Sequence, residues 1–218
     1  MVDLSLVHRR GPYQTGEARR LQIVNATTTV FGSDGYVGGS LRRIAAEVGV
    51  TEPALLRHFG SKSGLLLATL AYWEADMELT HIHPHRIGQT LLGLLRAQVA
   101  RRQQLEEPRQ LYAVITAEAS TYTSHPARDF VAKRHARQTE ALSELLVDAS
   151  NLGEIDALSP TRAQSEACVI VALLHGLELQ ALLDPTADVP ALLDVYLNAA
   201  LRRGSGSYEV KQASTTSA

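Results

Sequence analysis

The sequence has 218 residues, enough for one large domain or two small ones, and it is 45% hydrophobic and 20% charged, which is ordinary for a soluble globular protein. Its single cysteine, Cys168, excludes an intramolecular disulfide, fits a reducing cytoplasm and is expected in the core. The first twenty residues lack the apolar core of a signal peptide. The most apolar stretch, residues 169–183, is interrupted by His175 and Glu178, so we expect no membrane span.

Charge is distributed unevenly along the chain. Residues 1–65 contain eight Lys or Arg and five Asp or Glu, whereas the remainder contains 13 basic and 18 acidic residues. The net charge of −2 therefore combines a basic N-terminal third with an acidic body. This asymmetry indicates a head that binds a polyanion, although an excess of three charges also arises by chance.

Apolar residues recur at helical spacing, which predicts an all-α fold. A first helix is predicted over about 17–33, with Gly35 closing it. Its apolar face carries Ile23, Thr27, Val30 and Phe31. Further helices are predicted over about 41–48, 51–60 and from 61 into the region 74–80. Their N-caps are expected to be Ser40, Thr51 and Ser61.

Five more helices are predicted in the rest of the chain, several with a proline near the start. They span roughly 86–105, 108–123, 127–150, 160–183 and 188–203. The last residues, 204–218, are small, polar and aperiodic, which predicts a disordered tail.

The segment 40–66 has the physical features of a helix-turn-helix. Ala45 permits close approach of two short helices, and Gly49 can adopt the turn between them. The apolar contacts between those helices are expected from Ile44, Val48, Val50 and Leu55. The second helix then presents Glu52, Ala54, Arg57 and His58 to solvent or to a groove.

Residues from about 20 to 66 resemble the DNA-binding domain of the TetR family of repressors, with order and spacing kept across almost fifty residues. The matching positions are Ile23, Ala26, Val30-Phe31, Gly35-Tyr36, Ile44-Ala45, Gly49-Val50-Thr51, Leu55, His58-Phe59, Ser61-Lys62 and Leu65-Leu66. The chain length and the all-helical body also fit this family. Residues 173–185 resemble the end of the penultimate helix in many members.

The resemblance implies that the helix opening at Thr51 enters the major groove. The implied phosphate-binding positions are Ser40, Arg42, Thr51, His58 and Lys62. The groove-facing positions are Glu52, Pro53, Ala54 and Arg57. Leu56 stands where many members carry a phosphate-binding tyrosine, and Glu52-Pro53 replaces a common Lys-Gly pair.

Two roles stay open in this helix. Glu52 can accept a bond from a cytosine amino group, or it can serve only as a favourable charge at a helix start. Arg57 can contact a base or a phosphate. Arg9, Arg10, Arg19 and Arg20 form a candidate basic arm along DNA, with an unstructured leader as the alternative for the first two.

The resemblance also implies a ligand cavity in the C-terminal body. The candidate ligand residues are Tyr72, Trp73, Met77, Tyr112, Thr116, Glu118, Tyr122 and His175, and ordinary core packing is an equal alternative for each. Glu118 and His175 are polar within apolar helices and therefore need partners. A ligand or an internal hydrogen bond would satisfy them.

We therefore expect a helix-turn-helix domain over residues 1–65, with the basic arm over 1–20, a ligand-binding and dimerisation domain over 66–203, and the tail. Two copies are expected to associate through the helices at about 160–183 and 188–203. The expected partners are a palindromic DNA operator and a small-molecule effector that releases it. We expect a cytoplasmic location, no cofactor and no membrane partner.

Two other functions are alternatives to a ligand-responsive DNA-binding regulator. A helical-bundle enzyme would carry a set of Glu-x-x-His pairs on core helices. The sequence lacks such a set, and it lacks a nucleophile elbow, a P-loop and a dinucleotide fingerprint, so we expect no enzyme.

No metal site is expected from His81, His83 and His85, because residues two apart face away from each other on a helix. A DNA-binding protein without a ligand is also compatible with the sequence.

Overall fold

The computed structural model describes residues 12–77 and 90–201, with all their side chains except those of residues 12–15, 17, 76 and 77. These residues form nine α-helices and no strand, which confirms the all-α prediction. The helices are α1 (Pro12–Gly38), α2 (Leu41–Glu47), α3 (Glu52–Phe59), α4 (Lys62–Met77), α5 (Leu91–Gln103), α6 (Glu106–Thr121), α7 (Arg128–Asn151), α8 (Pro160–Leu183) and α9 (Val189–Leu201).

The predicted caps of the short helices are confirmed. The hydroxyl of Ser40 accepts from the backbone N–H of Arg43, that of Thr51 from Ala54, and that of Ser61 from Gly64 at 3.0 Å. Each bond satisfies a backbone donor that has no partner within its helix. The caps therefore fix the starts of α2, α3 and α4.

The N-terminal boundary differs from the prediction. Because α1 begins at Pro12, Arg19 and Arg20 lie in a helix and not in a flexible arm. Arg19 Nη1 donates to the backbone oxygen of Val48 at 2.7 Å, which ties α1 to the end of α2. Arg9, Arg10 and the predicted tail lie outside the described residues.

Helix α1 is interrupted at Gly35, as the sequence predicted. Gly35 has φ 70° and ψ −179°, a backbone region that is essentially restricted to glycine. A Cβ atom at this position would also overlap the carboxylate of Glu118 in α6. The last turn of α1 therefore changes direction where it meets α6.

The core consists of two apolar clusters. The N-terminal cluster joins α1–α4 to α6 and the start of α7, and it includes Leu65, Leu70, Leu111 and Ile115. The C-terminal cluster joins α5, α7, α8 and α9. The predicted boundary between residues 65 and 66 falls inside α4, and the helix-turn-helix shares its core with α6.

Helix α8 is, by length and composition alone, apolar enough to cross a membrane, contrary to the expectation from its polar interruptions. One of its faces is buried in the C-terminal cluster, and Glu178 pairs with Arg102 of α5. These contacts are those of a core helix. Cys168 lies on the opposite, exposed face of α8, so its prediction as a core residue was wrong.

Candidate DNA-binding face and ligand cavity

The predicted DNA-binding residues on α2, α3 and the start of α4 are all at least partly accessible. The exposed members are Ser40, Arg42, Thr51, Pro53, Arg57 and His58, and the half-buried members are Glu52, Ala54 and Lys62. Leu55, on the other side of α3, is only 1% exposed and packs in the N-terminal cluster. That packing fixes which side of α3 faces outward.

Several cations on this face differ in their partners. Arg43 Nη1 lies 2.8 Å from Asp34 Oδ2, which ties α2 to α1. Lys62 Nζ donates to the backbone oxygen of Val37 at 3.1 Å and lies 4.9 Å from the centre of the Tyr36 ring. No hydrogen bond or ion pair joins Arg57 to the other described residues, so its guanidinium is available to an external partner.

Helices α5, α6, α7 and α8 line a cavity of about 310 Å³. Its apolar wall is formed by Ala113, Ala117, Gly176, Leu179 and Leu182. Its polar wall is formed by Arg102, Arg109, Tyr112, Thr116, Arg134, His175 and Glu178. A largely apolar cavity with a few polar groups has the usual make-up of a small-molecule site.

The structure brings only some of the candidate ligand residues to the cavity. Tyr112, Thr116 and His175 line the cavity. Tyr72 and Tyr122 lie at the surface, 42% and 58% exposed. The remaining members have other positions: Trp73 donates to Thr28 Oγ1 at 2.8 Å, Glu118 contacts α1, and the side chain of Met77 lies outside the described ones.

Three cavity arginines were missed by the sequence reasoning: Arg102, Arg109 and Arg134, each at most 9% exposed. A signal for one of them exists in α7. Its buried stripe runs Val131, Arg134, Gln138, Leu142 and Leu146, so an arginine and an amide occupy positions at which helical spacing predicts apolar residues. Such an interruption of a core stripe indicates a polar site inside the protein.

The polar wall is a connected network. Arg102 Nη1 lies 2.7 Å from Glu178 Oε1. The amide of Gln138, oriented with its oxygen toward the arginines, accepts from Arg134 Nη2 at 3.1 Å and from Arg102 Nη2 at 3.2 Å. The guanidinium carbon of Arg134 lies 4.4 Å from the centre of the Tyr112 ring, a cation–π distance.

Burial sets the protonation of the uncharged members of this wall. It raises the pKa of Tyr112 well above the usual value for a phenol, so the hydroxyl stays protonated and donates to the backbone oxygen of Leu70 at 2.6 Å. Burial, together with neighbouring His135 and Arg134, lowers the pKa of His175 to about 3. His175 is therefore neutral near pH 7, and the positive charge of the cavity comes from its arginines.

Glu118 lies at a junction between α6 and the end of α1. Its Oε2 accepts from the backbone N–H of Tyr36 at 2.8 Å and lies 3.3 Å from Nε2 of His125, close enough for attraction although without hydrogen-bond geometry. The rings of Tyr36 and His125 meet edge to face, with centres 5.2 Å apart. Glu118 thus has the internal partner that the sequence left as one of two alternatives.

Helices α8 and α9 each carry a second, exposed apolar face. On α8 it includes Val169, Leu179 and Leu183, and on α9 it includes Leu192 and Val195. Other apolar residues of these helices are buried within the chain: Ile170, Leu174, Leu177, Leu193 and Leu197. The two helices therefore contribute to the core and still leave apolar surface uncovered.

The described residues contain no group of three or more His, Cys, Asp or Glu placed to hold a metal ion. His81, His83 and His85 lie outside those residues. So does Glu78, which with His81 forms the one Glu-x-x-His spacing of the sequence.

Residues 23–69 match the family described as bacterial regulatory proteins, tetR family. The chain is 26% identical over 170 residues to the HTH-type transcriptional regulator BetI of Burkholderia thailandensis, a match that covers 77% of this chain and 83% of the relative. It is 40% identical over 63 residues to the HTH-type transcriptional activator FasR of Mycolicibacterium smegmatis, 29% of each chain.

The fold has a close counterpart among solved structures. A TetR-family transcriptional regulator from Rhodococcus sp. superposes with a TM-score of 0.68 at 24% identity, covering 84% of this chain and 98% of that one. The relatives are named as regulators and not as enzymes. The match over residues 23–69 and the all-helical body agree with the resemblance seen in the sequence, and residues 23–69 belong to the tetR family of bacterial regulatory proteins.

Proposed function

We propose that the protein is a cytoplasmic repressor that binds a palindromic operator as a homodimer and is released when a small-molecule effector occupies the cavity. The observation that carries the proposal is the double role of α6. This helix lines the cavity with Tyr112 and Thr116, and it holds the end of α1 through Glu118. A shift of α6 on ligand binding would therefore move the DNA-binding head.

In this proposal α3 reads the major groove and its neighbours bind phosphates. Arg57 is exposed and has no partner among the described residues, so it can reach a base or a phosphate. Lys62 donates one of its three N–H groups to Val37, which leaves two for a phosphate. Ser40 and Thr51 lie at helix starts, where backbone N–H groups also favour an anion.

The roles of Arg57 and Lys62 predict two different losses. Arg57→Ala should cost about 1–3 kcal/mol of discrimination at one base pair per half-site if the guanidinium reads a base. Lys62→Ala should weaken operator and random DNA alike and reduce the salt dependence of binding by about one unit per lost phosphate contact. The measurement is a titration of operator and random duplexes at several salt concentrations, with the operator selected from random-sequence DNA.

A matched control for these variants is Lys133→Ala, which removes an exposed cation from α7, far along the chain from the helix-turn-helix. It should leave both binding curves unchanged. If Arg57→Ala and Lys62→Ala also leave them unchanged, α3 does not enter the groove as proposed.

The exposed apolar faces of α8 and α9 support the proposed homodimer. On α8 this face includes Val169, Ala172 and Leu183, whereas Gly176 and Leu179 of the same stripe also line the cavity. Val195 of α9 is 71% exposed. A twofold axis beside these helices would bury both faces in a four-helix interface, which is the common arrangement for a homodimer with one self-complementary patch.

Transmission from the cavity to the head is proposed to pass through the Glu118 junction. Glu118 holds the backbone of Tyr36, and the ring of Tyr36 lies against the ammonium group of Lys62 at the start of α4. The hydroxyl of Tyr112, which lines the cavity, also bonds to Leu70 of α4. A ligand can shift the head only by its difference in affinity between the two positions of these helices.

The junction predicts that Glu118→Ala uncouples the two sites. The variant removes the acceptor of a partly buried N–H and should lower the free energy of unfolding by about 1–3 kcal/mol. The variant should still bind the effector. The loss of operator affinity that the effector causes should, however, be several-fold smaller than in the wild type. The probe is any small molecule that raises the unfolding midpoint of the wild-type protein, measured by calorimetry and operator titration.

Glu140→Ala is the control, because Glu140 is exposed on α7 and has no hydrogen-bond or ion-pair partner among the described residues. Glu118→Gln, which keeps an acceptor oxygen, should restore part of the coupling. An unchanged effector response in Glu118→Ala would contradict the proposed route.

A further inference from the structure

The charges of the cavity wall do not balance. Arg102, Arg109 and Arg134 line the cavity, and Glu178 is the one carboxylate among the residues that line it. Glu178 pairs with Arg102. The nearby carboxylate of Glu74 pairs with Arg137 of α7. Arg109 and Arg134 are therefore left without a carboxylate partner among the described residues.

The hydrogen bonding of these two arginines is also incomplete. Nε and Nη1 of Arg109 and Nε of Arg134 are buried and have no hydrogen-bond partner among the described residues. Burial lowers the pKa of Arg134, and the charge of Arg102 adds to this effect. Arginine nevertheless stays charged in proteins, so the wall carries buried positive charge that an anion would stabilise.

The remainder of the cavity restricts what that anion carries. The lining also contains Ala117, Leu179 and Leu182, which favour an apolar body. His175 is neutral, so it adds no charge to the site. The volume of about 310 Å³ limits the ligand to a small molecule. A planar carboxylate matches the fork of N–H groups that a guanidinium presents.

We propose that the effector is a small organic acid, bound as its anion with the carboxylate on Arg109 and Arg134 and an apolar body against the leucines of α8. This inference rests on the proposed effector role of the cavity. It names the chemical class of the ligand, and it assigns Arg109 and Arg134 as binding residues. A purely structural role for these arginines is the competing explanation that the experiment must exclude.

The test uses the full-length protein and pairs of ligands with the same carbon skeleton. Butanoate, hexanoate, octanoate and benzoate are compared with their primary amides by thermal unfolding, at constant ionic strength set with sodium chloride. At about one hundred times the dissociation constant, a carboxylate that binds should raise the unfolding midpoint by roughly 5–10 °C. Its amide should give little or no rise, because it leaves the arginines without a counter-charge.

The variants Arg109→Met and Arg134→Met should lose this rise, whereas Lys133→Met, an exposed change beside Arg134 on α7, should keep it. The ligand-free Arg109→Met protein should unfold at the same temperature as the wild type or higher, since its buried charge lacks a partner. The proposal is overturned if the amides raise the midpoint as much as the acids, if no acid raises it, or if ligand-free Arg109→Met unfolds several degrees lower.

Operator titrations with the same ligands separate the two proposals. If an acid binds through Arg109 and Arg134 but leaves operator binding unchanged, the anion site stands and the effector role fails. If a neutral molecule binds in the cavity and releases the operator, the effector role stands and the anionic class fails.

Discussion

Val195→Asp should convert the protein to a monomer and weaken operator binding by at least about 100-fold. The side chain of Val195 is 71% exposed in the protomer, so the substitution should not disturb the fold of the chain. At the proposed interface it would bury a carboxylate without a partner, which costs about 3–5 kcal/mol. Sedimentation and operator titration measure the two effects together.

Leu152→Asp is the matched control for this prediction. Leu152 is 59% exposed in the turn after α7, outside α8 and α9. This variant should remain a dimer with wild-type operator affinity. A Val195→Asp protein that still sediments as a DNA-binding dimer would place the interface elsewhere.

Gly35→Ala should lower the free energy of unfolding by about 2–4 kcal/mol, because alanine is strained at this backbone conformation and its Cβ would overlap Glu118. Gly16→Ala is the control, and it should change the free energy of unfolding in the opposite direction. Gly16 lies within α1, and a Cβ there meets no atom within 4 Å. It should raise the free energy of unfolding by about 0.5–1 kcal/mol. Urea unfolding measures both values.

The double variant Gly35→Ala with Glu118→Ala separates the cost of backbone strain from the cost of the overlap with Glu118. Removing the carboxylate should relieve the overlap and leave the backbone strain, so the two substitutions should be less than additive. If Gly35→Ala and Gly16→Ala change stability equally, the interruption of α1 at Gly35 is not a constraint on the fold.

The helix-turn-helix was predictable from sequence because its determinants are local. Ser40 and Thr51 are caps that act on backbone groups three residues ahead. Gly49 takes φ 66° in the turn that its position predicts. Apolar spacing over residues 23–31 fixed the buried face of α1. None of these features requires knowledge of a distant part of the chain.

The cavity and the interface were less predictable because they depend on packing between distant helices. Leu177 and Val169 are both apolar residues of α8, yet Leu177 is 6% exposed and Val169 is 47% exposed. Only the positions of α7 and α9 decide which of them faces the core. A charge at Leu177 would therefore disrupt the core and would not test the proposed dimer.

Glu118 shows the same dependence on contacts remote in sequence. Its partner is the backbone of Tyr36, 82 residues earlier, so no spacing within α6 could distinguish the junction from the cavity. Arg102 and Glu178 are 76 residues apart. Helical periodicity indicates that such residues face inward, but it does not name the groups that meet them.

The most direct measurement of the central claim is operator affinity with the cavity empty and occupied. The operator is selected from random-sequence DNA, and the ligand is the acid that raises the unfolding midpoint of the wild type most. Saturating ligand should weaken binding of the wild-type dimer to the palindrome about 5- to 150-fold, and Arg134→Met should lose this response. A cavity ligand that leaves wild-type operator affinity unchanged would contradict the proposed effector role.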